Sequence, residues 1–72
     1  MIEGKSPADL VRLAEAGGRL EVDGRRYSLP DLIAVARALR PQATLTILHC
    51  EGKSTAELVS IVSAAPGRVV VG

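Results

Sequence analysis

The sequence predicts a two-layer α/β protein, in which three helix–strand repeats build a three-stranded parallel sheet, order 1-2-3, with the helices on one face. Three observations predict it. A short unit recurs: Glu3-Gly4-Lys5-Ser6-Pro7-Ala8-Asp9-Leu10-Val11 near the start and Glu51-Gly52-Lys53-Ser54-Thr55-Ala56-Glu57-Leu58-Val59 later, with a looser copy at Tyr27-Ser28-Leu29-Pro30-Asp31-Leu32-Ile33. Each copy reads as a polar turn followed by a capped helix. A short apolar stretch of strand character follows each one. Helix–strand units in series require parallel strands joined by right-handed crossovers, and neighbouring consecutive strands put every helix on the same side. The 72 residues form one domain, 1–72, divided at about 4–24, 25–50 and 51–72.

Ser6 caps the first helix, Pro7 suits its first position, and Asp9 stands where a capping-box partner belongs. Leu10, Leu13 and Ala14 follow at helical spacing, and Gly17-Gly18 supplies the left-handed exit. Arg19-Leu20-Glu21-Val22-Asp23 alternates polar and apolar, the period of a half-buried strand, with Leu20 and Val22 toward the core. Asp23-Gly24 has two readings. It leads through Arg25-Arg26 into the next helix, or it is a type I′ turn that pairs Arg25 to Ser28 back on the first strand, giving a ββαβαβ chain with an N-terminal hairpin. Tyr27 favours the first reading, because it sits just before the Ser28 cap and can staple onto Leu32.

The second helix repeats the recipe. Ser28 caps, Asp31 closes the box, and Leu32, Val35, Ala36 and Leu39 form one stripe. Arg37 and Arg40 suit the dipole at its end, and Pro41 forbids continuation. Thr44-Leu45-Thr46-Ile47-Leu48-His49 is the clearest strand and is apolar enough to be central. The third helix starts at the Ser54 cap with Glu57 in the box, and Leu58, Ile61, Val62 and Ala65 make its stripe. Pro66-Gly67 ends it, and Arg68-Val69-Val70-Val71-Gly72 is the last strand. Val11, Ile33 and Val59 fill one slot in the three units, where neighbouring helices touch laterally.

The apolar fraction of 47% argues against disorder. Tyr27 is the only aromatic residue, so the core is built of Leu, Val, Ile and Ala. A net charge of +1 gives no pull toward nucleic acid or an anionic membrane. Arg25, Arg26, Arg37 and Arg40 have no aromatic partners to stack bases and are interleaved with Asp23 and Asp31, so they read as solvated surface. The single Cys50 favours a reducing cytoplasm. Glu3 is acidic and no apolar leader core accompanies it, so no signal peptide is expected. The longest apolar runs fall short of the roughly 20 residues of a membrane span.

A sheet covered on one side leaves its other face bare. Alternation assigns to that face Arg19, Glu21 and Asp23, then Thr44, Thr46, Leu48 and Cys50, then Arg68, Val70 and Gly72. The last strand is also an apolar edge guarded by Arg68, and such edges pair with other chains. Thr46, Leu48, Arg68, Val70 and Val71 are therefore the expected interface of a homo-oligomer, a dimer, with an unknown protein partner as the other occupant.

Gly52-Lys53-Ser54, between a strand and a helix, has the ending of a phosphate-binding loop, in which lysine reaches phosphate and serine holds magnesium. The glycine required five residues before Gly52 is replaced by Ile47, so the cradle is incomplete. Turn plus N-cap accounts for this copy and for Gly4-Lys5-Ser6 alike. These three residues, with His49, remain the anion- or nucleotide-binding candidate and the basis of the alternative enzymatic reading. His49 and Cys50 are adjacent on a strand and project oppositely, which argues against a nucleophile–base dyad. A single histidine leaves any metal short of ligands, so no metal or cofactor and no enzymatic activity are expected.

With its three Ser-x-x-(Asp/Glu)-Leu-(Val/Ile) units, the chain resembles leucine-rich-repeat and ribonuclease-inhibitor-like α/β solenoids along nearly all its length. It also resembles short bacterial helix–strand repeat chains with the pattern L-x-L…S-x-x-D-L-x-x-I-A-x-A-G. It departs from the leucine-rich pattern in lacking the strand signature that ends in Asn or Cys, and no Asn ladder is present. The resemblance implies a binding or assembly module at the level of fold and carries over no site residues.

Overall fold

A computed structural model of the chain describes residues 4–72. Glu3, which opens the first copy of the repeated unit, lies outside the described residues. The elements run α1 (Pro7–Glu15), β1 (Arg19–Asp23), a 3-10 turn (Gly24–Arg26), α2 (Leu29–Ala38), β2 (Thr44–Leu48), α3 (Thr55–Ala64) and β3 (Val69–Val71). The strands form one parallel sheet in the order β1-β2-β3. Arg19 lies opposite Thr44 in the first pair, and Leu45 opposite Val69 in the second. Helix α1 packs on α2 and α2 on α3, so the helices make a layer with the same order as the strands.

The core lies between the layers. Leu20, Val22, Leu45 and Ile47 meet Leu10, Ala14, Leu32, Val35, Ala36 and Ile61 there. Their alternates on the sheet, from Arg19 and Glu21 to Thr44, Thr46 and Leu48, are exposed or half-buried, as the strand period requires. Among the described residues, Tyr27 and Cys50 are the only core members outside the aliphatic set. The Tyr27 hydroxyl donates to the Lys5 carbonyl at 2.8 Å, which ties the second unit's entry to the first unit's turn.

Serine sets the start of every helix. The hydroxyls of Ser6, Ser28 and Ser54 accept from the amides of Asp9, Asp31 and Glu57 at 3.2, 3.4 and 3.2 Å. Only Glu57 completes the expected box, its carboxylate accepting from the Ser54 amide at 2.8 Å. Asp9 and Asp31 are one methylene shorter, and neither returns to its cap. The helix ends are closed in part from outside. Arg40 does not serve its own helix; its Nε donates to the Glu15 carbonyl at the end of α1, at 2.8 Å. Arg68 likewise donates to the carbonyls of Leu39 and Arg40, just past α2, at 2.9 and 2.6 Å.

The hairpin alternative is overturned. Strand β1 pairs with β2 in parallel, and the chain leaves it by the 3-10 turn rather than folding back. Two contacts decide this. The Asp23 carboxylate accepts from the Arg25 amide at 2.9 Å, capping the short helix. Gly24 sits so close to β2 that an added Cβ would stand 2.9 Å from Ile47 Cγ2 and 3.0 Å from the Leu48 carbonyl oxygen.

A second correction concerns the end of β2. The strand stops at Leu48, one residue earlier than expected, and His49 takes a left-handed φ of 61°. That reversal breaks the alternation, so Cys50 turns into the core instead of lying on the bare face. Its Sγ donates to the Ile47 carbonyl at 3.3 Å.

Candidate functional site

In open parallel sheets, ligands gather beyond the carboxyl ends of the strands. Here that end holds Asp23, Gly24, Arg25, His49, Cys50 and Lys53. Asp23 is 4% exposed, yet it sits on the face that the helices leave bare. Arg25 covers it: Nε lies 3.1 and 3.3 Å from the two carboxylate oxygens, and the terminal NH2 nitrogen 2.8 Å from Oδ2. These bonds, with the Arg25 amide, hold the Asp23 carboxyl far below the usual carboxylate range, and the same side-chain bonds raise the Arg25 guanidinium. The Asp23 carboxylate is thereby fully engaged by Arg25, whose own side chain remains largely exposed.

The Gly52-Lys53-Ser54 loop is satisfied in the same way. Lys53 Nζ donates to the Gly24 carbonyl at 2.8 Å, tying the third unit's entry to the turn after β1. The Ser54 amide, one of those a phosphate would take, donates to the Glu57 carboxylate instead. That amide, followed by the Ser54 hydroxyl, pulls the Glu57 carboxyl below its ordinary value. The protein's own carboxylate thus sits where an anion would bind. His49 is half-buried and Cys50 buried, and no group of three His, Cys, Asp or Glu residues gathers as a metal site among the described residues. No buried side-chain polar atom among them lacks a partner.

The two ends of the three-unit stack differ. Around Lys5 and the α1 residues Asp9, Arg12 and Leu13 lies an open depression of about 430 Å³ with charged walls. At the other end, Thr55, Leu58, Val59, Val62, Ser63 and Val71 line a groove of about 330 Å³ that carries no charge. The chain matches no family model, no curated protein and no solved structure.

The repeat explains the apolar end. Val11 and Ile33 are half-buried and packed on the core, whereas Val59, in the same slot, is 57% exposed. Among the described residues, the exposed large apolar side chains are Val59, Val70 at 58% and Leu13 at 39%. Leu58 and Val62, half-buried, correspond to the fully covered Leu10 and Ala14 of α1 and Leu32 and Ala36 of α2. Among the described residues no helix packs on the flank of α3 that carries this slot.

The strand below that flank is equally open. Leu45 N–H donates to the Arg68 carbonyl and Gly72 N–H to the Ile47 carbonyl, each at 2.9 Å. Backbone directions alternate along a strand, so Arg68, Val70 and Gly72 turn their N–H and C=O groups to β2, while Val69 and Val71 turn theirs outward. Among the described residues no strand takes that side.

The expected interface residues fall in three places. Thr46, Leu48 and Val70 share the bare sheet face, as alternation demands, with Val70 the most exposed of them. Val71 points to the helix layer and joins the groove. Arg68 does not guard the edge, because its side chain is spent on Leu39 and Arg40. Sequence reasoning placed Val59 in a lateral slot but did not name it, Leu58 or Val62 as surface. The available signal was the slot itself: Val59 is its third copy, and among the described residues no helix comes after α3 to meet it.

Proposed function

We propose that this protein is a non-enzymatic, cytoplasmic interaction module that self-associates, at its smallest as a dimer, through the open β3 edge and the apolar surfaces beside it. The observation that carries this is the continuity of the uncharged α3 flank with a strand whose outward N–H and C=O groups meet no other strand among the described residues. An open apolar edge of this kind is a template for pairing. Small domains also gain from association what one core supplies only marginally. A foreign protein strand or helix is the other occupant the surface accepts. The anion-binding alternative at Gly52, Lys53 and Ser54 is supported less well, because Gly24 and Glu57 already hold the groups a phosphate would need. Light scattering on size-exclusion fractions, loaded from micromolar to several hundred micromolar, tests the proposal. A mass that rises with concentration supports it, and a constant monomer mass across that range sinks it.

A further inference from the structure

We infer that the occupant of this surface is a second copy of the chain, related by a two-fold axis that pairs β3 antiparallel with its own copy at Val70. This rests on the self-association proposed above and adds its geometry. The outward groups of Val69 and Val71 lie two residues apart with Val70 between them. An antiparallel copy therefore sets Val69 opposite the partner subunit's Val71, and Val71 opposite the partner subunit's Val69. Each of these is a pair that exchanges both hydrogen bonds. Val70 then meets the partner's Val70 at the central pair, where side chains come closest. Its exposure on the bare face becomes a cross-strand contact, and two three-stranded sheets become one of six strands.

The helix layer selects this arrangement over head-to-tail stacking. Under the two-fold, Leu58, Val59 and Val62 face the same residues of the partner across the axis, apolar against apolar. A head-to-tail contact would lay this uncharged groove against α1 and the turn before it, with Lys5, Asp9 and Arg12, whose charges would lose water and find no counter-charge among the groove residues. It would also require β1 as the receiving edge, and that strand carries the exposed Arg19 and Glu21, the kind of charge that protects an edge. A two-fold contact closes, whereas a head-to-tail one grows. The patch is modest. A standard interface takes roughly 800 Å² from each partner, near a fifth of the 4176 Å² that this chain exposes. A ten-residue helix flank and a three-residue strand make a small contact, in the size class of weak, reversible association.

Four substitutions in the full chain test it by sedimentation equilibrium and by mild oxidation read on a non-reducing gel. Val70→Cys should cross-link to a dimer, since the Cα atoms of such a central pair lie about 4.5 Å apart, within disulfide range; the parent, whose Cys50 is buried, should not. Val59→Glu, on an exposed helix position that tolerates glutamate, should weaken dimerisation at least tenfold and suppress the Val70→Cys cross-link when combined with it. Leu13→Glu, at the opposite end, should dimerise like the parent. Oligomers that grow past the dimer and are blocked by Leu13→Glu would overturn the two-fold geometry and leave self-association intact. A dimer indifferent to Val59→Glu and lost in Thr46→Glu would do the same and move the contact to the sheet face. A parent that stays monomeric at several hundred micromolar would overturn both.

Discussion

Replacing Gly24 with alanine asks whether the turn after β1 is a packed joint or a loose connection. An ideal Cβ at Gly24 would lie 2.9 Å from Ile47 Cγ2 and 3.0 Å from the Leu48 carbonyl oxygen. Ile47 is fully buried, and Leu48 is held opposite Asp23 in the ladder, so neither can yield cheaply. Overpacking against such neighbours costs about 1–3 kcal/mol. In a domain this small each kcal/mol moves Tm by about 4–8 °C, so the melting point should fall by about 5–20 °C. Gly52, in the corresponding turn before α3, is the control. A Cβ there meets nothing within 4 Å, and its φ is not left-handed. Gly52→Ala should therefore be neutral or raise stability by up to about 1 kcal/mol, through the narrower unfolded chain. Urea unfolding followed by circular dichroism should show unchanged slopes and, for Gly24→Ala, a midpoint well below the parent's. A Gly24→Ala protein as stable as the parent would refute the close approach of this turn to β2.

Three further outcomes follow from the hydrogen bonds. Ser54→Ala should cost about 1 kcal/mol, or about 4–8 °C, and should speed amide exchange in the first turn of α3; protection unchanged there would mean the cap contributes nothing. The Asp23 and Glu57 carboxyls are both held below their ordinary values of 3.8 and 4.5, so each favours the folded state fully above those values and loses that contribution as pH falls below them. The urea midpoint should accordingly drop from about pH 5 toward pH 2, less steeply in Asp23→Asn, and equal slopes in parent and variant would contradict the assignment to Asp23. Lys53→Met should lose about 1 kcal/mol with its bond to the Gly24 carbonyl, and neither protein should gain thermal stability from phosphate or ATP–Mg²⁺. A rise of several degrees in the parent, absent in Lys53→Met, would show that the lysine leaves Gly24 to hold phosphate.

The architecture was legible because its signals are local and repeated. Ser6, Ser28 and Ser54 fix the helix starts by short-range hydrogen bonds, and the period of Leu20-Glu21-Val22 and Thr44-Leu45-Thr46 fixes which side of each strand is buried. What was not legible depends on distance or on one dihedral angle. Asp23-Gly24 suits a hairpin by composition, and the steric approach to Ile47, across the sheet, is what decides against it. Alternation beyond Leu48 failed because His49 reverses the backbone, which no neighbouring residue type announces. The reach of Arg40 and Arg68 to other units' carbonyls is a tertiary matter that a dipole argument within one helix cannot supply. At the candidate surface, Val70 and Leu48 followed from strand period alone. Leu58, Val59 and Val62 required knowing that, among the described residues, no helix packs on that flank of α3.

The arginine contacts give the stack a direction. The end of α1 is finished by a residue that follows α2, and the end of α2 by a residue that follows α3. The ends of α1 and α2 are thus each latched by an arginine of the unit that follows. Opening that begins at the β3 side strips the latch from α2 and then from α1, like a row of shingles lifted from its last course. Opening that begins at α1 leaves the latch on α2 closed.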